Sequence, residues 1–150
     1  MSKSASIDLH LQSKTKELLS ANAIFSVLLE AGWGFENMEY PFFLEVGDLD
    51  FDWSSKSKTN DEMFELFEKK ESLSETIGIS LTWKDSSTGE ETGGEFLLFP
   101  DNTLSVCITI FRKTIEGCET TDFSWYLSKL IPPLEGAQIM IESLDCIEHL

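Results

Sequence analysis

Residues 94–113 read GEFLLFPDNTLSVCITIFRK, and this stretch decides the fold. Two apolar runs flank PDNT, where Pro100 suits the second position of a β-turn. Apolar residues alternate in the second run, as in a strand with one buried face. The preceding stretch TIGISLTWKD, residues 76–85, alternates in the same way. Short turns favour antiparallel pairing, because parallel strands need long crossovers. We therefore predict an antiparallel meander with strands near 76–84, 94–99 and 103–112.

Two segments before the meander have the periodicity of amphipathic helices. The first covers about residues 12–31 and faces the core with one side. The second begins at Thr59 and Glu62, which match the capping-box pattern of a helix start, and ends near Glu71.

The segment after the meander, TDFSWYLSKLIPP at 121–133, predicts a short third helix that ends before Pro132 and Pro133. A final strand is predicted near 138–143, and residues 1–11 are predicted to be a flexible N-terminal segment. The 150 residues should form one domain. The predicted class is α+β, a single domain over 1–150 with three helices on one side of a largely antiparallel sheet.

Residues 47–53 read GDLDFDW, in which acids alternate with apolar residues. In a strand, this pattern puts Leu49, Phe51 and Trp53 on the buried side and the aspartates in water. Gly47 then either begins a hairpin turn or marks a bulge. The three acids also match the start of an EF-hand loop, but Trp53 replaces its glycine and Thr59 its bidentate glutamate. We predict a solvated strand face that includes partner contacts, and neither a metal site nor a glycosidase carboxylate pair.

The charge of the chain is strongly negative. It has 27 acids, 11 bases and a formal net charge of −16. From Glu17 through Ser55 there are eight acids and no Lys or Arg. Such a surface repels nucleic-acid backbones and anionic membranes, and it favours a basic protein partner. Solubility alone is the alternative explanation. The predicted partner-binding residues are Glu36, Glu39, Asp48, Asp50, Asp52 and Trp53.

Catalytic side chains are scarce. His10 and His149 are the only histidines, both near termini that fray, and Arg112 is the only arginine. No phosphate-loop or dinucleotide-binding pattern occurs. We therefore predict no enzymatic activity, no catalytic residue and no cofactor.

The cysteines and the N-terminus indicate a compartment. Cys107, Cys118 and Cys146 are an odd set without CxxC spacing, so we expect free thiols, with Cys107 a small buried residue. The N-terminal MSKSASIDLHLQ lacks the apolar run of a signal peptide. No stretch has the length and apolarity of a membrane span. These features predict a cytoplasmic protein.

Several features together resemble bacterial toxin-immunity proteins, the small cytosolic inhibitors encoded beside contact-dependent growth-inhibition and other polymorphic toxins. The resemblance rests on chain length, acidity, the GWGF helix exit, the meander EFLLFPDNTLSVCITIF and the following DFSWYLSKLI. It implies binding to a cognate toxin domain, often a basic nuclease, and blocking of its active site. It assigns no individual residue.

Two other classes share some of these features. Secretion chaperones of the type III kind are also small, acidic and α+β, and they hold an extended effector segment as dimers. The strand-rich second half and the predicted final strand depart from that pattern. A mimic of DNA charge is a further alternative, which requires carboxylates at phosphate-like spacing.

Overall fold

One antiparallel sheet and three helices make up the secondary structure of the described residues. The computed structural model describes residues 4–15, 17–35 and 41–149. The strands are β1 (Ser4–Ser13), β2 (Trp33–Gly34), β3 (Phe42–Phe43), β4 (Ser54–Ser55), β5 (Ile77–Lys84), β6 (Glu91–Leu98), β7 (Thr103–Ile108) and β8 (Ile139–His149). The helices are α1 (Ala21–Ala31), α2 (Asn60–Ser72) and α3 (Phe123–Gly136). The predicted α+β class with a largely antiparallel sheet is confirmed.

The predicted meander forms the centre of the sheet. The strand order is β4-β3-β5-β6-β7-β1-β8, and β2 also pairs with β5. The turn between β6 and β7 is closed by two hydrogen bonds, from the Asn102 amide to the Phe99 carbonyl and from the Phe99 amide to the Thr103 carbonyl, both 2.9 Å. Asn102 has φ 66°, a conformation that asparagine tolerates well. β6 begins earlier than predicted, at Glu91, and β7 ends earlier, at Ile108.

The core lies between one face of the sheet and the helices. Alternate residues of β1, β5, β6 and β7 point into it, and all three helices contribute buried side chains. The central members include Ile7, Leu9, Ile24, Phe25, Phe67, Phe96, Val106, Tyr126 and Leu130. The opposite face of β1 and β7 carries mainly polar residues such as Asp8, His10 and Ser105. The apolar core therefore lies on one face of the sheet. On the other face β1 is half-buried, and the polar residues Ser80 and Thr82 of β5 are buried as well.

The start of the chain differs from the prediction. Residues 4–13 form β1, which lies between β7 and β8, so the N-terminal segment is an interior strand where we predicted flexibility. Helix α1 begins at Ala21, and not near residue 12. Ala5, Ile7, Leu9 and Leu11 are buried in strict alternation, which is the period of a strand. His10 accordingly lies in a paired strand, where its Nδ1 is 3.0 Å from the Thr103 hydroxyl.

The starts of α2 and α3 agree with the capping signals in the sequence. The capping box of Thr59 and Glu62 is confirmed, with both reciprocal hydrogen bonds present. Hydrogen bonding to the Thr59 backbone and side chain lowers the pKa of Glu62. Asp122 is the N-cap of α3, and its carboxylate accepts a hydrogen bond from the Trp125 amide at 3.1 Å.

Helix α3 continues through the two prolines where we predicted an end, reaching Gly136. A proline at position 133 has no N–H for the carbonyl of Lys129, one turn earlier. The indole Nε1 of Trp33 donates to that same carbonyl at 3.1 Å. Trp33 of β2 thus donates the hydrogen bond that the Lys129 carbonyl cannot receive from Pro133. This removes one cost of a proline inside a helix.

Three of the four tryptophans form one cluster. Trp33 lies edge-to-face with Trp83 and with Trp125, at centroid distances of 5.7 and 5.9 Å, and Trp83 and Trp125 are 6.5 Å apart. The ammonium of Lys129 lies 4.8 Å above the Trp83 ring. Such edge-to-face pairs contribute a favourable free energy in addition to that of the apolar area that they bury. The cluster joins α3 to the β2–β5 part of the sheet.

Replacing Trp33 by Phe should destabilise the protein by about 1–3 kcal/mol, because the partly buried Lys129 carbonyl loses its donor. Pro133→Ala supplies a backbone N–H to the same carbonyl, so it should recover part of the loss in the Trp33→Phe background. A double-mutant cycle by urea denaturation measures this coupling. Strictly additive effects of the two substitutions would contradict the assignment.

Candidate protein-binding site

The stretch GDLDFDW lies in a loop and not in a strand. β3 and β4 pair with each other, and residues 44–53, which we term the acidic loop, connect them. The prediction that Leu49 and Phe51 face the core was wrong: Leu49 is 82% exposed and Phe51 is 47% exposed. Gly47 and Phe51 have φ values of 87° and 55°, which break the extended backbone that the alternation requires.

Asp48 holds the acidic loop together. Its two carboxylate oxygens accept hydrogen bonds from the amides of Asp50, at 3.3 Å, and Asp52, at 3.1 Å. Its own amide donates to the Glu45 carbonyl at 3.2 Å. Such bonds from an aspartate to nearby backbone are typical of turns. Asp48 therefore shapes the loop, whereas Asp50 and Asp52 expose their carboxylates to solvent. Asp50 and Asp52 are exposed, as predicted, whereas Asp48 is half-buried.

An ion pair between buried Lys70 and partly exposed Glu75 fixes the loop to the end of α2. The Lys70 side chain is fully buried, and its Nζ donates to the Glu45 carbonyl at 2.6 Å. The same Nζ lies 3.3 Å from Oε1 of Glu75, which also accepts the Gly47 amide at 2.8 Å. The Gly47 bond and then Lys70 lower the pKa of Glu75. Three polar contacts therefore converge where the loop turns, and the buried ammonium of Lys70 has a carbonyl and a carboxylate as partners.

The base of the loop packs on β5. Leu44 is buried and Trp53 is half-buried. A Cβ on Gly78 would come within 2.7 Å of Leu44 and 2.9 Å of Trp53, so this strand position must lack a side chain. Trp53, which we predicted among the partner contacts, thus has a packing role at the loop base.

The acidic loop and the turn after α2 enclose a groove of about 340 Å³, which we term the loop groove. Its apolar members include Leu49, Phe51 and Leu73, and Leu73 is 48% exposed. Its acids are Asp48 and Glu75. Exposed large apolar side chains beside carboxylates are a common composition for a protein-binding surface.

The remaining predicted site residues, Glu36 and Glu39, lie outside the described residues. Asp48, Asp50 and Asp52 come together in the acidic loop as predicted from their proximity in sequence. Sequence reasoning missed Leu73, Glu75 and the buried role of Lys70. The signal for Lys70 was its place on the apolar face of α2, at helical spacing from Met63 and Phe67, both of which are buried.

Other kinds of site have little support in the described part of the chain. Within residues 4–15, 17–35 and 41–149, no group of three His, Cys, Asp or Glu side chains is placed to hold a metal ion. No helix there is long and apolar enough to cross a membrane. Cys107, Cys118 and Cys146 are free thiols, as predicted. Cys107 is half-buried, and burial, with Glu95 and Asp8 nearby, raises its pKa.

No protein-family model matches this chain, and no curated protein or solved structure is significantly similar to it.

Replacing Glu75 by Gln should lower the free energy of unfolding at neutral pH, and the difference from the parent should shrink in acid. A lowered pKa means that the carboxylate form stabilises the folded state. That stabilisation is complete above the unfolded-state pKa, about 4.3, and is lost as the pH falls through the folded-state value. Urea denaturation across this range measures it. Glu68→Gln, an exposed change on α2, is the control, and a Glu75 effect that is independent of pH would contradict the assignment.

Proposed function

We propose that the protein binds a basic protein partner through the loop groove. The observation that carries this proposal is the exposure of Leu49, Phe51 and Leu73 around one groove, beside a loop that is held by hydrogen bonds of Asp48 and Lys70. Water-exposed apolar side chains gain free energy when a partner covers them. Because Asp48 and Lys70 already fix the loop, little conformational entropy is lost on binding.

The charge around the groove supports a cationic partner. Asp50 and Asp52 are exposed, and neither takes part in an ion pair among the described residues. The nearby cations are already engaged: Lys70 is buried with Glu75, and Lys56 lies 3.3 Å from Glu45. With a net charge of −16, the whole molecule attracts cations over a distance and repels copies of itself.

The more specific form of the proposal is that the partner is a toxin domain and the protein its immunity inhibitor. The resemblance to toxin-immunity proteins supports this form, and a basic nuclease has the charge that the acidic loop complements. Inhibition requires that the bound protein cover the active site of the toxin domain. A secretion chaperone is the alternative, and it would bind an extended effector segment in place of a folded domain.

The partner to test is the product of the gene immediately upstream, prepared as a catalytically inactive domain. Asp50→Asn with Asp52→Asn removes two charges and keeps the Asp48 bonds, so association should slow several-fold and depend less on salt. Leu49→Ser with Phe51→Ser removes the apolar contacts, so dissociation should accelerate about tenfold or more. Surface-based kinetics at low and high salt measure both rates.

The matched control is Glu65→Gln with Glu68→Gln, which removes two exposed acids from α2 outside the groove. Protection of growing cells against the active toxin should follow the same order as binding. Parent-like kinetics and protection for both loop variants would exclude the loop groove as the contact. Binding that occurs only with an unfolded segment of the neighbouring product would favour the chaperone alternative.

A further inference from the structure

The last strand, β8, forms an open edge of the sheet. In the strand order it stands at one end and pairs only with β1 among the described residues. It runs over eleven residues, from Ile139 to His149. A strand at an edge presents backbone N–H and C=O groups that can pair with another chain. Residues 142–147 are all exposed, so these side chains do not cover the edge.

This edge lacks several usual forms of protection. Natural edge strands are commonly short or contain lysine or proline. β8 is long and has neither residue. Leu144 and Ile147 are 41% and 46% exposed, and Cys146 is exposed as well. An added strand would therefore gain both backbone hydrogen bonds and apolar contacts.

The side chains of β8 alternate between the two faces of the sheet. Leu144 and Cys146 stand opposite Leu9 and Ile7 of β1, on the face that carries the helices, and Glu148 shares that face and has Arg112 beside it. Asp145 and Ile147 stand opposite Asp8 and Ser6, on the other face, where Asp145 is the acid of β8 that faces another acid. Like charges that face each other directly across two strands are destabilising. A cation from an added strand, placed next to Asp145, would relieve that repulsion.

The charge of the edge also selects against a second copy. Glu142 and Asp145 are exposed along it, and Glu148 is the only one of its acids with an arginine beside it, Arg112 at 3.6 Å. If the β8 edges of two copies paired, their acidic side chains would lie close to one another. The net charge of −16 also makes two copies of the protein repel each other. The complement is an extended segment in which basic residues alternate with apolar ones.

We propose that the β8 edge binds an extended basic segment of a partner protein as an additional strand. The segment pairs along Ser143–His149, because the β1–β8 register shifts at His10 and Leu11 and is uninterrupted beyond. Its apolar side chains lie beside Leu144 and Cys146, and its basic side chains beside Asp145. This surface is separate from the loop groove, since β4 and β8 are the opposite ends of the sheet.

The probe is a short capped peptide of alternating valine and lysine, studied with the full-length protein. Binding, measured by fluorescence anisotropy, should slow amide hydrogen exchange in residues 143–147. The same peptide with alternate backbone amides methylated keeps its charge but cannot form the strand hydrogen bonds. Its affinity should therefore be lower by about tenfold or more. Equal affinity of both peptides, or no added protection in β8, would overturn the proposal.

Asp145→Lys provides the complementary variant. This variant should bind the lysine peptide more weakly than the parent does, and it should bind a valine–glutamate peptide that the parent does not bind. Its fold should persist because the Asp8–Asp145 repulsion is removed. Asp52→Lys makes the same charge change in the acidic loop and should leave the protection of β8 by the lysine peptide intact. Loss of that protection in Asp52→Lys, or a dimer of the parent at working concentration whose β8 edges pair, would assign the edge to a different role.

Discussion

Burial of one face of the sheet is the constraint on which the other features depend. Ile7, Leu9 and Val106 point toward the helices, so their neighbours in each strand must point away. All three helices are used on that one side. The opposite face is covered only in part, and the tip of the acidic loop and most of the last strand are left to solvent. A chain this acidic tolerates so much exposed surface because its charge keeps copies apart, while the same surface remains available to a cation.

The sequence predicted those parts of the fold that depend on short-range signals. The meander rests on alternation and one turn, and the start of α2 rests on a capping box, so both were found. β1 was missed because its alternation lies at the start of the chain, where flexibility is the usual expectation, and its position between β7 and β8 is set by pairing with residues far away. The continuation of α3 is supported by Trp33, whose bonding partner Lys129 lies 96 residues later in the chain.

The candidate site was predictable in composition and not in geometry. Alternating acids and apolar residues drew attention to 47–53, but the same pattern suits a strand, and only the contacts of Asp48 and Glu75 turn it into a loop. Aspartates that look equivalent in sequence therefore have different tasks. Asp48 accepts backbone hydrogen bonds, and Asp50 and Asp52 remain exposed. Lys70, near the end of α2, is the buried cation that anchors the loop.

The distribution of tryptophans has an optical consequence. Trp33, Trp83 and Trp125 are close enough to exchange excitation energy with one another and form a single emitting group. Trp53 lies apart from these ring contacts, half-buried at the base of the acidic loop. The difference between the emission of the parent and that of Trp53→Phe would report the polarity of the loop base and leave the cluster intact. The protein thus carries its own fluorophore at the surface where a ligand is expected, without any attached label.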